Sequence, residues 1–224
     1  MTLEQLSYYI AMAGTVAFAS SAVLAVADRK VDLFTAVVLG TITAIGGGTV
    51  RDMILDVPIF WSLDQNYVYV SVVVSILAFY ASGFFRRKSI HRLFLYVDGF
   101  AVAMFAIQAM AKVWKLDFGV PTAPIALGVV TAIGGGLIRD VLVGRPTLLM
   151  SRELYAIPVL IGCILFAAVL HFAPEYGFLG AIVCVGVTFG IRAAAIRWNL
   201  QVPGWAIMGY KPSESYEADR GTGG

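Results

Sequence analysis

The sequence predicts an all-α integral membrane protein with seven transmembrane helices, arranged as two inverted three-helix repeats followed by a seventh helix. Two observations predict this class. The 224 residues are 59% hydrophobic and only 13% charged, and their mean hydropathy of +0.84 indicates more apolar surface than a soluble domain can bury. In addition, the phrase TAIGGG, followed two residues later by RD, occurs twice, at residues 43–52 and 131–140.

Seven apolar stretches are long enough to cross a bilayer, which requires roughly 20 predominantly apolar residues for a hydrocarbon core of about 30 Å. They cover about residues 5–27, 33–55, 66–85, 92–114, 120–143, 153–173 and 176–198. Residues 1–200 are therefore expected to form one membrane domain. The polar residues 203–224 are expected to form a disordered cytoplasmic tail.

The two copies of the phrase lie 88 residues apart, so each copy belongs to a unit of three spans. Repeat one covers about residues 5–88 and repeat two about residues 92–174, whereas the seventh helix, at about 176–198, has no counterpart. Because three is an odd number, the second unit enters the membrane from the opposite side. The sequence therefore predicts an inverted-topology repeat.

The basic residues predict the orientation. Lys112 and Lys115 lie on one side of the predicted membrane, and the positive-inside rule then places the N-terminus outside and the C-terminus in the cytoplasm. The opposite side carries Arg29, Lys30, Arg86, Arg87, Lys88, Arg92, Arg145, Arg152, Arg192, Arg197, Lys211 and Arg220.

The glycine triplets lie inside the second and fifth spans. Each glycine costs about 1 kcal/mol relative to alanine in a helix interior, so both spans are expected to be kinked or broken at the triplet. The main-chain carbonyls of a break could replace part of a cation's hydration shell. Alternatively, the glycines only allow helices to pack closely. The candidate ion-pathway residues are Thr43, Gly46, Gly47, Gly48, Thr131, Gly134, Gly135 and Gly136.

Two Arg-Asp pairs follow the triplets at a depth where a lone charge costs at least about 2.5–3.5 kcal/mol. Consecutive helical residues do not face each other, so we expect pairing between the repeats, Arg51 with Asp140 and Arg139 with Asp52. Two interpretations of these charges stay open at this point. They form a static clamp between two broken helices, or they set the field of a pore or gate it, and the two roles are compatible.

Asp98 lies in the fourth span and has two interpretations, a cation-attracting residue at the cytoplasmic mouth or the partner of a basic loop residue. Enzyme motifs such as HExxH, a P-loop or GxSxG do not occur in the sequence. We therefore expect neither an enzyme nor a cofactor. The net charge of +2 argues against a nucleic-acid partner.

Two copies of GGG-x-x-RD in a chain of three, three and one spans resemble the bacterial branch of the trimeric intracellular cation (TRIC) channel family. Bacterial relatives are also catalogued as a glycine-transporter family. The resemblance implies a homotrimer in the bacterial inner membrane, surrounded by lipid, with one pore per subunit. It implies that each pore conducts potassium, sodium or other monovalent cations and holds no other metal. The pore would follow the second and fifth spans, past the glycine triplets and the Arg-Asp pairs.

Two functions are consistent with these features. The first is a potassium-permeable cation channel. The alternative is a secondary transporter for glycine or a similar small zwitterion, because inverted repeats with broken helices are also typical of transporters. Many such transporters work by rocking one helix bundle against another. Seven spans are few for two such bundles, which favours the channel. A pure scaffold would not explain four buried charges.

Overall fold

The computed structural model describes residues 3–82, 87–151 and 153–203. Most of the expected disordered tail lies outside this part, as do Arg86, Arg152, Lys211 and Arg220. The described residues form eight α-helices, with short 3-10 turns before α7 and α8. The helices are α1 (Leu3–Val26), α2 (Leu33–Ile54), α3 (Phe60–Leu63), α4 (Asn66–Ser82), α5 (Arg87–Lys115), α6 (Thr122–Val143), α7 (Ala156–Phe172) and α8 (Gly177–Trp198).

The predicted fold class is confirmed. Helices α1, α2 and α4 form the first unit of three, helices α5, α6 and α7 form the second, and α8 is the seventh span. Helices α1, α2, α5, α6 and α8 are long and apolar enough to cross a membrane. Helices α4 and α7 have 17 residues each, which gives a length of about 25 Å at the rise of an α-helix. The short helix α3 is not predicted by the sequence.

Helices α1 and α5 form the centre of the bundle. Helix α1 packs against α2, α4 and α5, and α5 packs against α6, α7 and α8. The rings of Phe18 and Phe105 stack where α1 meets α5, with their centroids 5.2 Å apart. The outer helices instead expose large apolar side chains, as expected where a protein faces lipid. Examples are Phe34, Tyr69, Val73, Leu77, Val141, Ile164 and Val183.

The glycine triplets do not interrupt their helices. Helices α2 and α6 each continue through the triplet for 22 residues, so the main-chain carbonyls remain within the helical hydrogen-bond pattern. The Thr43 hydroxyl also donates to its own helix, at 2.7 Å from the Leu39 carbonyl. The expected break is therefore wrong, and so is the use of freed carbonyls as cation ligands. A kink, which needs no interruption, stays a prediction.

The glycines instead allow α2 and α6 to touch. A Cβ atom on Gly47 would overlap the carbonyl oxygen of Thr131, and a Cβ atom on Gly135 would overlap that of Thr43. These two contacts are equivalent under the 88-residue offset. The interpretation of the glycines as a close-packing surface is therefore confirmed, and the two triplets meet at the pseudo-two-fold axis that relates the repeats.

Candidate functional site: two buried charge clusters

The first cluster lies at the C-terminal end of α2 and consists of Arg51, Asp52, Gln108 and Lys112. Asp52 is fully buried, and its Oδ1 atom accepts from Arg51 Nε at 2.8 Å and from Lys112 Nζ at 2.7 Å. Its Oδ2 atom accepts from the backbone N–H of Phe60 at 2.9 Å. Arg51 Nη1 donates to Gln108 Oε1 at 3.0 Å. Helices α2, α3 and α5 are thereby joined through one carboxylate.

The second cluster lies at the C-terminal end of α6 and contains Arg139, Asp140 and Arg145, together with Asp98 and Ser21. Asp140 Oδ1 accepts from Arg139 Nε at 2.9 Å and from Arg145 Nε at 2.8 Å. Arg139 Nη1 donates to Ser21 Oγ at 3.0 Å and forms an ion pair with Asp98. This cluster joins α6 to α1 and α5.

The two aspartates are held by the same backbone geometry. Asp140 Oδ2 accepts from the backbone N–H of Leu148 at 3.1 Å, eight residues further along the chain. In the first repeat Phe60 lies eight residues after Asp52, and its backbone N–H donates to Asp52 Oδ2. Each carboxylate therefore fastens the loop that follows its helix, and this explains why the same aspartate occurs in both repeats.

The predicted pairing between the repeats is wrong, because each arginine binds the aspartate next to it in the sequence. Adjacent Cβ atoms diverge on a helix, but the arginine side chain is long enough for Nε to return to its neighbour. Each arginine also contacts the other repeat, but through a different partner from the one expected. Arg51 reaches Gln108 on the first helix of repeat two, and Arg139 reaches Ser21 on the first helix of repeat one.

The clusters also differ in charge. The first contains one carboxylate and two cations, whereas the second contains two of each. Removing one partner from a buried ion pair costs about 3–5 kcal/mol, because it leaves an uncompensated charge. The equal number of carboxylates and cations in the second cluster is therefore required for the stability of the fold. The same charges also produce an electric field inside the bundle.

Aromatic rings cover the arginines of both clusters. Phe94 lies beside two guanidinium groups, with its ring centroid 4.7 Å from Arg139 Cζ and 4.2 Å from Arg145 Cζ. The Phe60 ring lies 5.7 Å from Arg51 Cζ. Such cation–π contacts contribute about 0.5–2 kcal/mol, the larger values where water is excluded. Burial lowers the pKa of Arg145, as does the nearby Arg139, while Asp140 opposes the shift.

Asp98 has a partner that the sequence did not indicate. Its side chain is fully buried and forms an ion pair with Arg139 inside the bundle. A role for Asp98 at the cytoplasmic mouth stays a prediction.

Several members of these clusters are not predicted by the sequence. Gln108 and Lys112 lie one turn apart on α5, and this spacing was the available signal that both face one site. Arg145 follows Asp140 by five residues, and as one of many basic residues on that side of the membrane it indicates only the orientation. Among the described residues, no group of three or more His, Cys, Asp or Glu side chains could hold a metal ion.

Comparisons with known proteins agree with this architecture. A family model described as Glycine transporter matches residues 8–82 and 95–171. The UPF0126 inner membrane protein YadS of Escherichia coli K12 is 36% identical over 203 residues, which cover 90% of this chain and 97% of the relative. A UPF0126 membrane protein of Vibrio cholerae is 38% identical over 205 residues, covering 90% and 84% of the two chains.

A solved structure shares the fold. The crystal structure of the TRIC trimeric intracellular cation channel orthologue from Rhodobacter sphaeroides superposes with a TM-score of 0.82 at 28% identity, over 87% of this chain and 99% of that chain. The resemblance identified from the repeated motif is thus confirmed. The chain belongs to the family of UPF0126 membrane proteins that the glycine-transporter model describes, and it has the fold of bacterial TRIC channels.

Proposed function

We propose that the protein is a homotrimeric, potassium-permeable channel for monovalent cations, with one pore per subunit along α2 and α6. The observation that carries this proposal is the crossing of α2 and α6 between two charge clusters, one at the C-terminal end of each helix. The structural likeness to a protein described as a cation channel supports it.

Charge compensation makes a cation pathway physically reasonable beside two buried arginines. An unpaired guanidinium would repel a cation strongly in a medium of low dielectric constant. Here Asp52 neutralises part of the first cluster, and Asp98 and Asp140 balance the second. A cavity of about 190 Å³ lies beside the second cluster and is lined by polar and apolar side chains that include Asp28, Arg29, His91 and Arg145.

The proposal includes the cellular setting. The chain would lie in the bacterial inner membrane with its N-terminus outside and its C-terminus in the cytoplasm. The name of the Escherichia coli relative supports the inner membrane, and the name of the Rhodobacter sphaeroides protein supports a trimer. The exposed apolar faces of the outer helices would contact lipid and neighbouring subunits. Native mass spectrometry of the detergent-solubilised protein tests the subunit count.

Single-channel recording in asymmetric potassium chloride tests the channel. Purified protein in a planar bilayer should give discrete currents whose reversal potential lies close to the potassium equilibrium potential. A reversal potential near that of chloride would overturn cation selectivity. Absence of currents, combined with glycine counterflow in proteoliposomes, would overturn the channel in favour of the transporter.

The glycine transporter is not favoured. A transporter of the inverted-repeat type holds a substrate carboxylate at the N-terminus of a half-helix. Continuous α2 and α6 provide no such N-terminus at the glycine triplets.

A further inference from the structure

An ion pair outside the two clusters connects α8 to the segment that precedes α7. Arg192 is only 3% exposed and lies six residues before the end of α8, about 9 Å along the helix axis. Its Nη2 donates to Glu153 Oε2 at 2.8 Å, and its Nη1 donates to the Leu154 carbonyl at 3.3 Å. Taking a charge out of water is costly even when the charge is paired. The buried arginine is therefore poorly explained by stability alone.

The guanidinium of Arg192 also lies beside the ring of Tyr155, with Cζ 5.2 Å from the ring centroid. It therefore contacts three consecutive residues, 153–155, at the end of the loop that joins α6 to α7. The chain beyond α8 supports the same place, because Gln201 forms an isolated antiparallel bridge with Glu153. Helix α8 and the residues that follow it thus hold one short segment of that loop.

Tyr155 connects this segment to the second charge cluster. Its side chain is buried, and its hydroxyl lies 3.0 Å from the place that a Cβ atom on Gly136 would occupy. Arg139 Nη2 and Asp98 Oδ1 lie 3.4 and 3.6 Å from the same place. Polar groups interact strongly in a medium of low dielectric constant. A shift of the segment would therefore change how a hydroxyl dipole acts on the ion pair between Arg139 and Asp98.

A glycine of α5 leaves room for the Arg192 side chain. A Cβ atom on Gly99 would lie only 2.8 Å from Arg192 Cγ. Gly99 follows Asp98 directly, so the aliphatic part of the arginine packs against the turn of α5 that supplies a carboxylate to the second cluster. Arg192 therefore contacts the surroundings of this cluster from two sides, α5 and the segment 153–155.

The first repeat is built differently at the equivalent place. Tyr67 is the counterpart of Tyr155 under the 88-residue offset, and its ring packs edge-on against Phe60 and Tyr8, with centroids 4.8 and 6.0 Å away. The counterpart of Glu153 is the neutral Gln65. Helix α8 has no counterpart at all, so the arrangement around Arg192 belongs to one repeat only.

We propose that Arg192 is a positioning residue, which fixes the segment 153–155 so that the Tyr155 hydroxyl stays beside Arg139 and Asp98, and which thereby sets the open probability of the channel. An arginine suits this role because its planar group donates in two directions and also stacks on a ring, whereas a lysine is a point charge. The effect on opening rests on the proposed function. The position of the segment does not.

Hydrogen–deuterium exchange of the full chain in detergent tests the position of the segment. In Arg192→Lys the loop between α6 and α7 should exchange severalfold faster than in the unsubstituted protein, while the equivalent loop between α2 and α4 is unchanged. Arg197→Lys, at an exposed position of the same helix, should leave both loops unchanged. Unaltered exchange of the α6–α7 loop in Arg192→Lys would overturn the proposal.

Single-channel recording tests the effect on opening. Arg192→Lys and Tyr155→Phe should each change the open probability at least threefold, in the same direction. The double variant should behave like Tyr155→Phe alone, because Arg192 acts through the hydroxyl that this substitution removes. Arg192→Lys combined with Tyr67→Phe is the control, and its two effects should multiply. Effects of Arg192→Lys and Tyr155→Phe that also multiply would overturn the proposal.

The lysine variant further separates positioning from charge compensation. Lysine can still pair with Glu153, so a purely structural ion pair predicts that Arg192→Lys regains both the Tm and the open probability that Arg192→Gln loses. We expect it to regain the Tm alone. Recovery of both would show that Arg192 only compensates a charge.

The two kinds of measurement also separate this inference from the proposed function. Faster exchange of the α6–α7 loop in an Arg192→Lys protein whose unsubstituted form passes no current would uphold the position of the segment and overturn the channel. Cation currents whose open probability is the same in Arg192→Lys, together with unaltered exchange, would uphold the channel and overturn the positioning role.

Discussion

Gly47 and Gly135 occupy equivalent positions in the two repeats, and each lies directly against the other repeat's helix. The contact is reciprocal, because Gly47 meets the carbonyl of Thr131 while Gly135 meets that of Thr43. Backbone atoms form both sides of this contact. A side chain at either position would therefore have no flexible neighbour to displace.

Substituting Gly47 by alanine should destabilise the protein. Alanine is the better helix former by about 1 kcal/mol, but its methyl group would force α2 and α6 apart. Overpacking of this kind costs about 1–3 kcal/mol, so we expect a lower Tm in detergent. Gly186→Ala is the control, because a Cβ atom at Gly186 meets nothing within 4 Å. Its Tm should be equal to that of the unsubstituted protein or higher. A Gly47→Ala protein as stable as this control would contradict the close crossing.

Double-mutant cycles should show coupling inside each repeat. Arg51 and Asp52 share a buried hydrogen bond of 2.8 Å, and groups in contact show interaction energies of about 0.5–3 kcal/mol. Arg51→Ala and Asp52→Asn should therefore be non-additive in the free energy of unfolding. Arg51→Ala combined with Asp140→Asn serves as the comparison and should be closer to additive. A stronger coupling in that second pair would restore the pairing between repeats.

Neutralising Lys112 should increase cation conductance. The first cluster has an excess of cations over carboxylates, and Lys112→Gln removes that excess while leaving Arg51 to compensate Asp52. The expected effect on single-channel conductance is an increase at low ionic strength that diminishes at high salt, because salt screens the charge. Lys115→Gln, at an exposed position on the same helix, should have a smaller effect. A decrease in Lys112→Gln would show that the lysine supports the pathway instead.

Removing the carboxylate of Asp140 should alter gating more than selectivity. Asp140→Asn leaves two arginines with Asp98 alone and weakens the attachment of the Leu148 loop. We expect a change in open probability with little change in reversal potential. Glu175→Gln, at an exposed site near α8, provides the control. An altered reversal potential with normal open probability would assign Asp140 to ion selection.

Much of the fold could be predicted from the sequence because the membrane imposes simple rules. Span length follows from bilayer thickness, and the odd number of spans in each copy determines the inverted arrangement. The meeting of the glycine triplets followed from that symmetry. The short helix α3 could not be found in this way, because four residues carry no usable periodicity.

The partners of the charges could not be derived from spacing. Helix geometry separates the Cβ atoms of Arg139 and Asp140. It does not specify the rotamer in which the long arginine side chain reaches back to the neighbouring carboxylate. The choice also depended on Arg145 and on the Leu148 backbone, which come from a loop whose path the sequence does not specify. A continuous helix through three glycines likewise depends on tertiary contacts that outweigh intrinsic propensity.

The symmetry of the α2–α6 crossing has a consequence for the direction of transport. The motif residues present the same backbone and the same Arg-Asp pair to an ion arriving from either side. Any rectification must therefore originate in side chains that break the symmetry. Among the residues of the two clusters and their loops, the pairs that differ are Gln108 and Ser20, Ser21 and Ala109, Lys112 and Leu24, Arg145 and Val57, Asp98 and Ile10, and Phe60 and Leu148.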